Sequence, residues 1–225
     1  MKKQLIYDMT TRSFHWLFAA LFLSAFVIAK TVDEDSQVFS YHMMAGLLMG
    51  FVVLLRIFWG FIGTRYARFS SFEWSPKSLF AYFVGILSGE RKFWSGHNPA
   101  SSWSAFLMMF LALGSGGTGY LMTTGVGEGF EDLHEVLANT FFVVVALHIA
   151  GVLIHGLRYR DGIFFAMLSG KKEGVLPNEA IRSAAWGKAV VFWVLVAAFA
   201  TYVVQQYNAD SRVLTLFGVS LQLGG

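Results

Sequence analysis

Four histidines in apolar surroundings, His15, His42, His134 and His148, are the residues of this chain best suited to bind iron. His134 and His148 stand fourteen positions apart in one apolar stretch. On a helix rising about 1.5 Å and turning about 100° per residue, that is roughly 21 Å along the axis and within about 40° of one face. Ionisable groups inside a bilayer are costly and mark function. These histidines lie in spans almost devoid of carboxylates and lysines, which argues against a proton relay or ion path. Haem iron held by two imidazoles has no open position for oxygen and carries single electrons. One helix offering two imidazoles in one direction, near opposite faces of a membrane, therefore predicts two stacked haems and an electron path across the bilayer.

Depth sorts the ligands. His42 opens the second apolar stretch and His134 the fourth, on one side of the membrane. His15 opens the first stretch on the other side, where His148 approaches. His155 competes for that place, seven residues beyond His148 and on nearly the same face. A pair using His134 and His155 would be roughly 31 Å apart, the whole hydrocarbon thickness. Tunnelling decays exponentially with distance, so the shorter separation favours His148.

Composition narrows the chemistry. Only 14% of the 225 residues are charged and 56% are hydrophobic, against about 25% charged in soluble domains, so lipid is the expected solvent. The net charge of +3 resides in loops between apolar stretches, which follows from membrane topology and gives no reason to expect nucleic-acid binding. There is no cysteine. That excludes disulfides, thiolate-held iron–sulfur clusters and covalent c-type attachment, leaving non-covalent b-type haem held mainly by histidine.

Five stretches are long enough to cross about 30 Å of hydrocarbon: residues 13–29, 40–63, 103–122, 133–157 and 187–204. The first follows Lys2 and Lys3 and holds His15 at its inner edge, so it is read as a retained span and not a cleaved signal. Pro76, Pro99 and Pro177 all fall between spans, where a missing N–H costs little. Fourteen of the 17 Lys and Arg residues lie on the N-terminal side of the membrane. The other side carries Asp33, Glu34, Asp35, Glu128, Glu131 and Asp132, with only Lys30 and Arg212 basic. That asymmetry predicts a cytoplasmic N-terminus and an outer C-terminus.

Residues 64–100 and 158–186 are the larger cytoplasmic segments, aromatic and basic, and are expected to lie partly in the interface. The small-residue run Gly114–Gly119 in the third span predicts close helix packing, with room for a macrocycle edge or a quinone tail as the alternative. It lacks the Gly-Lys-Ser/Thr ending of a phosphate loop. Arg56, inside the second span, either snorkels to the cytoplasmic interface or pairs with a haem propionate. His97 and Asn98 form an Asn-Pro corner that caps the third span.

Four segments carry a family resemblance: RSFHWL at 12–17, HMMAGLLMGFVVLLRIFWGFIG at 42–63, GHNP at 96–99 and LHEVLANTFFVVVALHIAG at 133–151. Together they resemble the bacterial cytochrome b561 and Ni-Fe hydrogenase b-type cytochrome superfamily, over about residues 8–170. The resemblance implies an all-α integral membrane bundle in a bacterial inner membrane, with a four-helix di-haem core in residues 1–170. Residues 171–225 add a cytoplasmic linker, a fifth transmembrane helix and a periplasmic tail. It implies two haem b groups, His15 with His148 on the cytoplasmic one and His42 with His134 on the periplasmic one. It also places the His97–Asn98 corner near a quinone, and implies that the histidine at position 155 is not an axial ligand.

The expected function is electron transfer between membrane quinone and a periplasmic redox partner: a hydrogenase subunit, a cytochrome c or another oxidoreductase. The chain is then a subunit and not a complete enzyme. A stand-alone superoxide:quinone oxidoreductase is the alternative, although acidic outer loops would repel an anion and suit a basic protein. A haemless transporter using the histidines as ion ligands would call for broken helices or internal repeats, and neither is seen. The fifth span is expected to dock a partner subunit, form a homodimer face or shield haem from lipid.

Overall fold

The computed structural model describes residues 3–90, 92–125 and 127–223. Lys2 and Arg91, which contribute to the charge asymmetry, lie outside the described residues, as does the side chain of Glu128. Seven helices are described: α1 (Met9–Thr31), α2 (Ser40–Ile62), α3 (Pro76–Ser88), α4 (Pro99–Thr123), α5 (Glu131–Tyr159), α6 (Ile163–Ser169) and α7 (Trp186–Gln206). Among them α1, α2, α4, α5 and α7 are long and apolar enough to cross a membrane, in the expected places.

Capping explains why the helices outrun their apolar stretches. Asp8, fully buried, accepts the Thr11 N–H at 2.7 Å and starts α1 four residues before the apolar run. The same carboxylate accepts the Trp59 indole N–H at 3.3 Å and the Thr64 hydroxyl. Asn98 Oδ1 accepts the Ser101 N–H at 2.8 Å, with Pro99 as first residue of α4. Ser75 caps α3 in the same way, and Gly89 closes it at φ +86°, where a side chain would be strained. Glu131 and Asp132 open α5 against the helix dipole.

The chain divides into two compact units, residues 1–15, 56–108 and 143–189 in the first and 16–55, 109–142 and 190–225 in the second. The first unit packs Ile6, Tyr7, Tyr66, Ala166, Val175 and Ile181 into a buried core. Two short strands join its ends: β1 (Gln4–Leu5) pairs antiparallel with β2 (Lys171–Lys172), Gln4 opposite Lys172. On α3, Phe80, Phe83, Val84 and Leu87 are all exposed. Their spacing makes one apolar stripe, the geometry of a helix lying in the plane of the interface.

In the second unit the rings of Phe22 and Phe18 pack on Phe141 at 4.2 and 5.7 Å. After α7 the tail, expected only as an extension, forms a three-stranded antiparallel sheet of β3 (Tyr207–Asn208), β4 (Val213–Leu216) and β5 (Val219–Gln222). Phe217 and Gly218, both at positive φ, make the two-residue turn that right-twisted hairpin strands need. Leu214, Leu221 and Leu223 are buried with Val203 against Met43, Met44 and Leu47 of α2. The Ser40 hydroxyl donates to Leu223 O at 2.7 Å and Arg212 to Asp35 O at 2.7 Å, tying the sheet to the acidic turn.

Candidate functional site

The histidines meet two by two. In the second unit the rings of His42 and His134 lie 6.1 Å apart, centre to centre, and nearly perpendicular at 77°. Two imidazoles bound to one ion through a nitrogen each, at the roughly 2.0–2.1 Å of a zinc–imidazole bond, would have centres roughly 6 Å apart. Each ring is held from behind. His42 Nδ1–H donates to Ala25 O on α1 at 2.8 Å, and His134 Nδ1–H to Ser115 O on α4 at 3.0 Å, with Thr118 Oγ1 at 3.1 Å. A carbonyl can only accept, so Nδ1 carries the proton and Nε2 keeps a lone pair that a metal could take up.

Glycine makes space for this arrangement. A Cβ at Gly119 would meet His134 Cε1 at 3.3 Å, and one at Gly116 would meet Gly46 O at 4.0 Å. The small-residue run therefore serves close packing of α4 against α2 and also seats the His134 ring. Beside His42 on α2, Gly46 and Gly50 have no atom within 4 Å of a built Cβ, which leaves flat space along that helix.

In the first unit His15 lies near His148, whose Nδ1 faces Ser104 Oγ on α4 at 3.3 Å. Arg56 is buried, with 5% of its surface exposed, so it does not snorkel to water. Its guanidinium lies 5.3 Å from the Phe69 ring and 5.8 Å from Phe14, while Nη1 has no hydrogen-bond partner. Buried donors are almost always paired, so this one fits an anionic acceptor such as a propionate. His97 Nδ1, Trp94 Nε1, Trp103 Nε1 and His155 Nδ1 are likewise buried without partners, against only Ser115 Oγ and Tyr207 Oη in the second unit, among the described residues. The residues present in both units fit b-type haem.

His97 packs edge-on against Tyr7 at 5.8 Å and tilted against Phe72 at 4.5 Å. Burial, then the charges of Arg56, Lys172 and His148, push its pKa down to about 3. His97 is thus a neutral donor or acceptor beside the Arg56–His148 region. Asn98, by contrast, commits its side-chain oxygen to capping α4. His155 is 6% exposed and its Nε2–H donates to Asp161 Oδ2 at 3.1 Å. Lys172 Nζ reaches the same oxygen at 3.1 Å and donates to Trp94 O at 2.6 Å. Burial opposes the Asp161 charge, but the His155 hydrogen bond and the Lys172 ammonium bring its pKa down to about 2. Sequence reasoning missed Asp161, Lys172, Ser104 and Thr118. Only Thr118, inside the glycine run, left a trace.

Known proteins resemble a large part of the chain. A probable Ni/Fe-hydrogenase B-type cytochrome subunit of Rhizobium leguminosarum bv. viciae is 25% identical over 213 residues, covering 74% of this chain and 87% of that protein. A probable Ni/Fe-hydrogenase 1 B-type cytochrome subunit of Escherichia coli (strain K12) is 30% identical over 77 residues, 28% of this chain and 33% of that protein. No solved structure gives a significant match. The family model of prokaryotic cytochrome b561 matches residues 6–170, which contain all four spanning helices that supply or border the histidine pairs. The chain belongs to that family: it is a multi-pass membrane cytochrome of b type that transfers electrons.

Proposed function

We propose that the chain conducts electrons between membrane quinone, near His15 and His148, and a redox protein on the opposite side, near His42 and His134. The observation that carries this reading is the orientation of the histidines. His42 and His134 each commit Nδ1 to a backbone carbonyl, which leaves Nε2 with its lone pair, and their ring centres lie 6.1 Å apart. Held between such imidazoles, b-type haem would supply a one-electron couple. His15 and His148 would hold the inner haem, and the buried guanidinium of Arg56 would meet a propionate there. His97, neutral and half-buried, would offer a hydrogen bond to a quinone carbonyl.

The partner reading rests on charge and kinship. Asp33, Glu34, Asp35, Glu131, Asp132 and Glu135 are all exposed in the second unit, which suits a basic protein surface and repels a small anion such as superoxide. The relatives are named as hydrogenase cytochrome subunits, so a hydrogenase is the first partner to test. The test is a haem count by pyridine haemochrome on purified protein with His15, His42, His134, His148 or His155 replaced by alanine. Two haems per chain are expected in the wild type and the His155 variant, and one after loss of any of the other four. Two haems retained in the His134 or His148 variant would overturn the assignment.

A further inference from the structure

We propose that the cleft between α3 and the end of α5 binds one phospholipid headgroup carrying both a phosphate and a primary amine, as an ethanolamine headgroup does. The cleft holds about 140 Å³. It is lined by Tyr82 and Gly85 of α3, Tyr159 of α5, and Glu90, Lys92 and Trp94 of the segment after α3. All six lie in the first unit, and none belongs to a histidine pair, so the inference stands apart from the haem reading.

Opposite charges line this cleft without meeting. Glu90 and Lys92 make no ion pair with each other or with any other described residue. Lys92 Nζ stands instead over the Trp94 ring, 4.4 Å from its centre. The Glu90 carboxylate lies over Gly85, with Oε2 3.5 Å from the place a Cβ would take. Each charge is thus placed by an uncharged neighbour and left without a counter-ion. A ligand with one negative and one positive group satisfies both, and adds no net charge to a cleft whose own two charges cancel. The rest of the lining supplies donors for phosphate oxygens. The Trp94 indole N–H is buried with no hydrogen-bond partner, and Tyr82 and Tyr159 each bring a hydroxyl.

The walls are held before any ligand arrives. Arg158 donates to Ile86 O at 2.9 Å and to Glu90 O at 2.7 Å, which clamps the last turn of α3 to α5. Its charge faces the negative end of the α3 dipole there. The Tyr159 ring stacks on His155 at 4.4 Å. Position makes lipid the source of the headgroup. Tyr159 ends a helix long and apolar enough to cross the membrane, the depth at which Tyr and Trp meet headgroups. By helix pitch Tyr82 and Gly85 share one side of α3, and Phe80 and Leu87, 73% and 87% exposed, lie about 180° away. The outer side of α3 therefore suits acyl chains, and its inner side borders the polar cleft.

The experiment titrates the full-length protein, purified in mild detergent, with phosphatidylethanolamine, phosphatidylglycerol or phosphatidylcholine of identical acyl chains. Native mass spectrometry counts the lipid-bound species. Phosphatidylethanolamine should bind on the order of tenfold more tightly than either of the others, the worth of one charge-assisted hydrogen bond. Phosphatidylglycerol lacks the amine, and phosphatidylcholine has no N–H to give Glu90. Glu90→Gln should abolish the preference while phosphatidylglycerol binds at least as tightly as before. Lys92→Gln should weaken both of these lipids. Both side chains are exposed, so an unchanged melting temperature verifies the fold, and the wild-type ranking decides alone should a variant lose it. Equal binding of the three lipids, tighter binding of phosphatidylglycerol, a preference that survives Glu90→Gln, or wild-type binding by Lys92→Gln would overturn the proposal. So would glycerophosphoethanolamine, the same headgroup without acyl chains, binding as tightly as the lipid, since the cleft would then serve a soluble ligand.

Discussion

Arg56 gives the sharpest test, because the two roles open to it differ in sign. The residue is 5% exposed, and its guanidinium lies over two phenyl rings with Nη1 left without a partner. An unsatisfied buried donor costs about 1–3 kcal/mol, more when charged, and a hydrogen bond to a charged group returns about 1.5–3 kcal/mol. If a propionate is the acceptor, Arg56→Leu removes that bond from the haem-bound protein only. At 1.4 kcal/mol per tenfold, inner-haem affinity should fall roughly 10- to 100-fold, while the haem-free chain becomes no less stable. Losing a nearby positive charge should also lower the inner potential by tens of millivolts, since about 59 mV corresponds to tenfold for one electron. Haem release to an excess of a soluble haem scavenger, followed by absorbance, measures the first effect. Potentiometry measures the second. Unchanged release and potential, together with a lower melting temperature of the haem-free chain, would show that Arg56 serves only packing and cation–π contact.

Three further outcomes follow from the buried polar groups. Lys172→Met strands the Asp161 carboxylate, and should cost about 3–5 kcal/mol at pH 8 in a melt followed at the Soret band. In the wild type, His97 is depressed to about 3 and Asp161 to about 2, both below their unfolded values. Their contributions are therefore complete above about pH 6.5 and about pH 3.9 respectively, and fade as acid approaches the folded values. Melting temperature should fall steadily from pH 6.5 to 4, less steeply in His97→Gln, and equal slopes in the two proteins would contradict the assignment. At Gly170, φ is +76° and a Cβ would lie 2.8 Å from Tyr7 O, so Gly170→Ala should cost about 1–3 kcal/mol. A Soret melt matching wild type would show that the β1–β2 region yields to the added methyl.

How much of this was legible in advance depended on whether a signal is local. The five spans were readable because crossing a bilayer needs about 20 consecutive apolar residues, a property of each stretch by itself. That His134 and His148 share one helix was readable because both fall in a single long apolar stretch, and α5 contains both. Asp8 and Asn98 extend α1 and α4 beyond those spans by ordinary capping, and Asn98 followed by Pro99 was visible as a corner. The hairpin of β4 and β5 left a weak signal, two apolar runs around Phe217–Gly218, that the strength of the membrane pattern overshadowed.

Sequence by itself therefore determined the solvent, the spans and the residue types that can bind iron. Only tertiary structure decided which groups orient them. Ala25 and Ser115 act on His42 and His134 through backbone carbonyls, which every residue possesses, so no side chain announces the role. His155, Asp161 and Lys172 are separated by a helix end and a further helix, and they meet at one oxygen, Asp161 Oδ2, only in the folded chain. Proximity between distant positions is a property of the folded chain, because it is set by packing and not by the order of the letters.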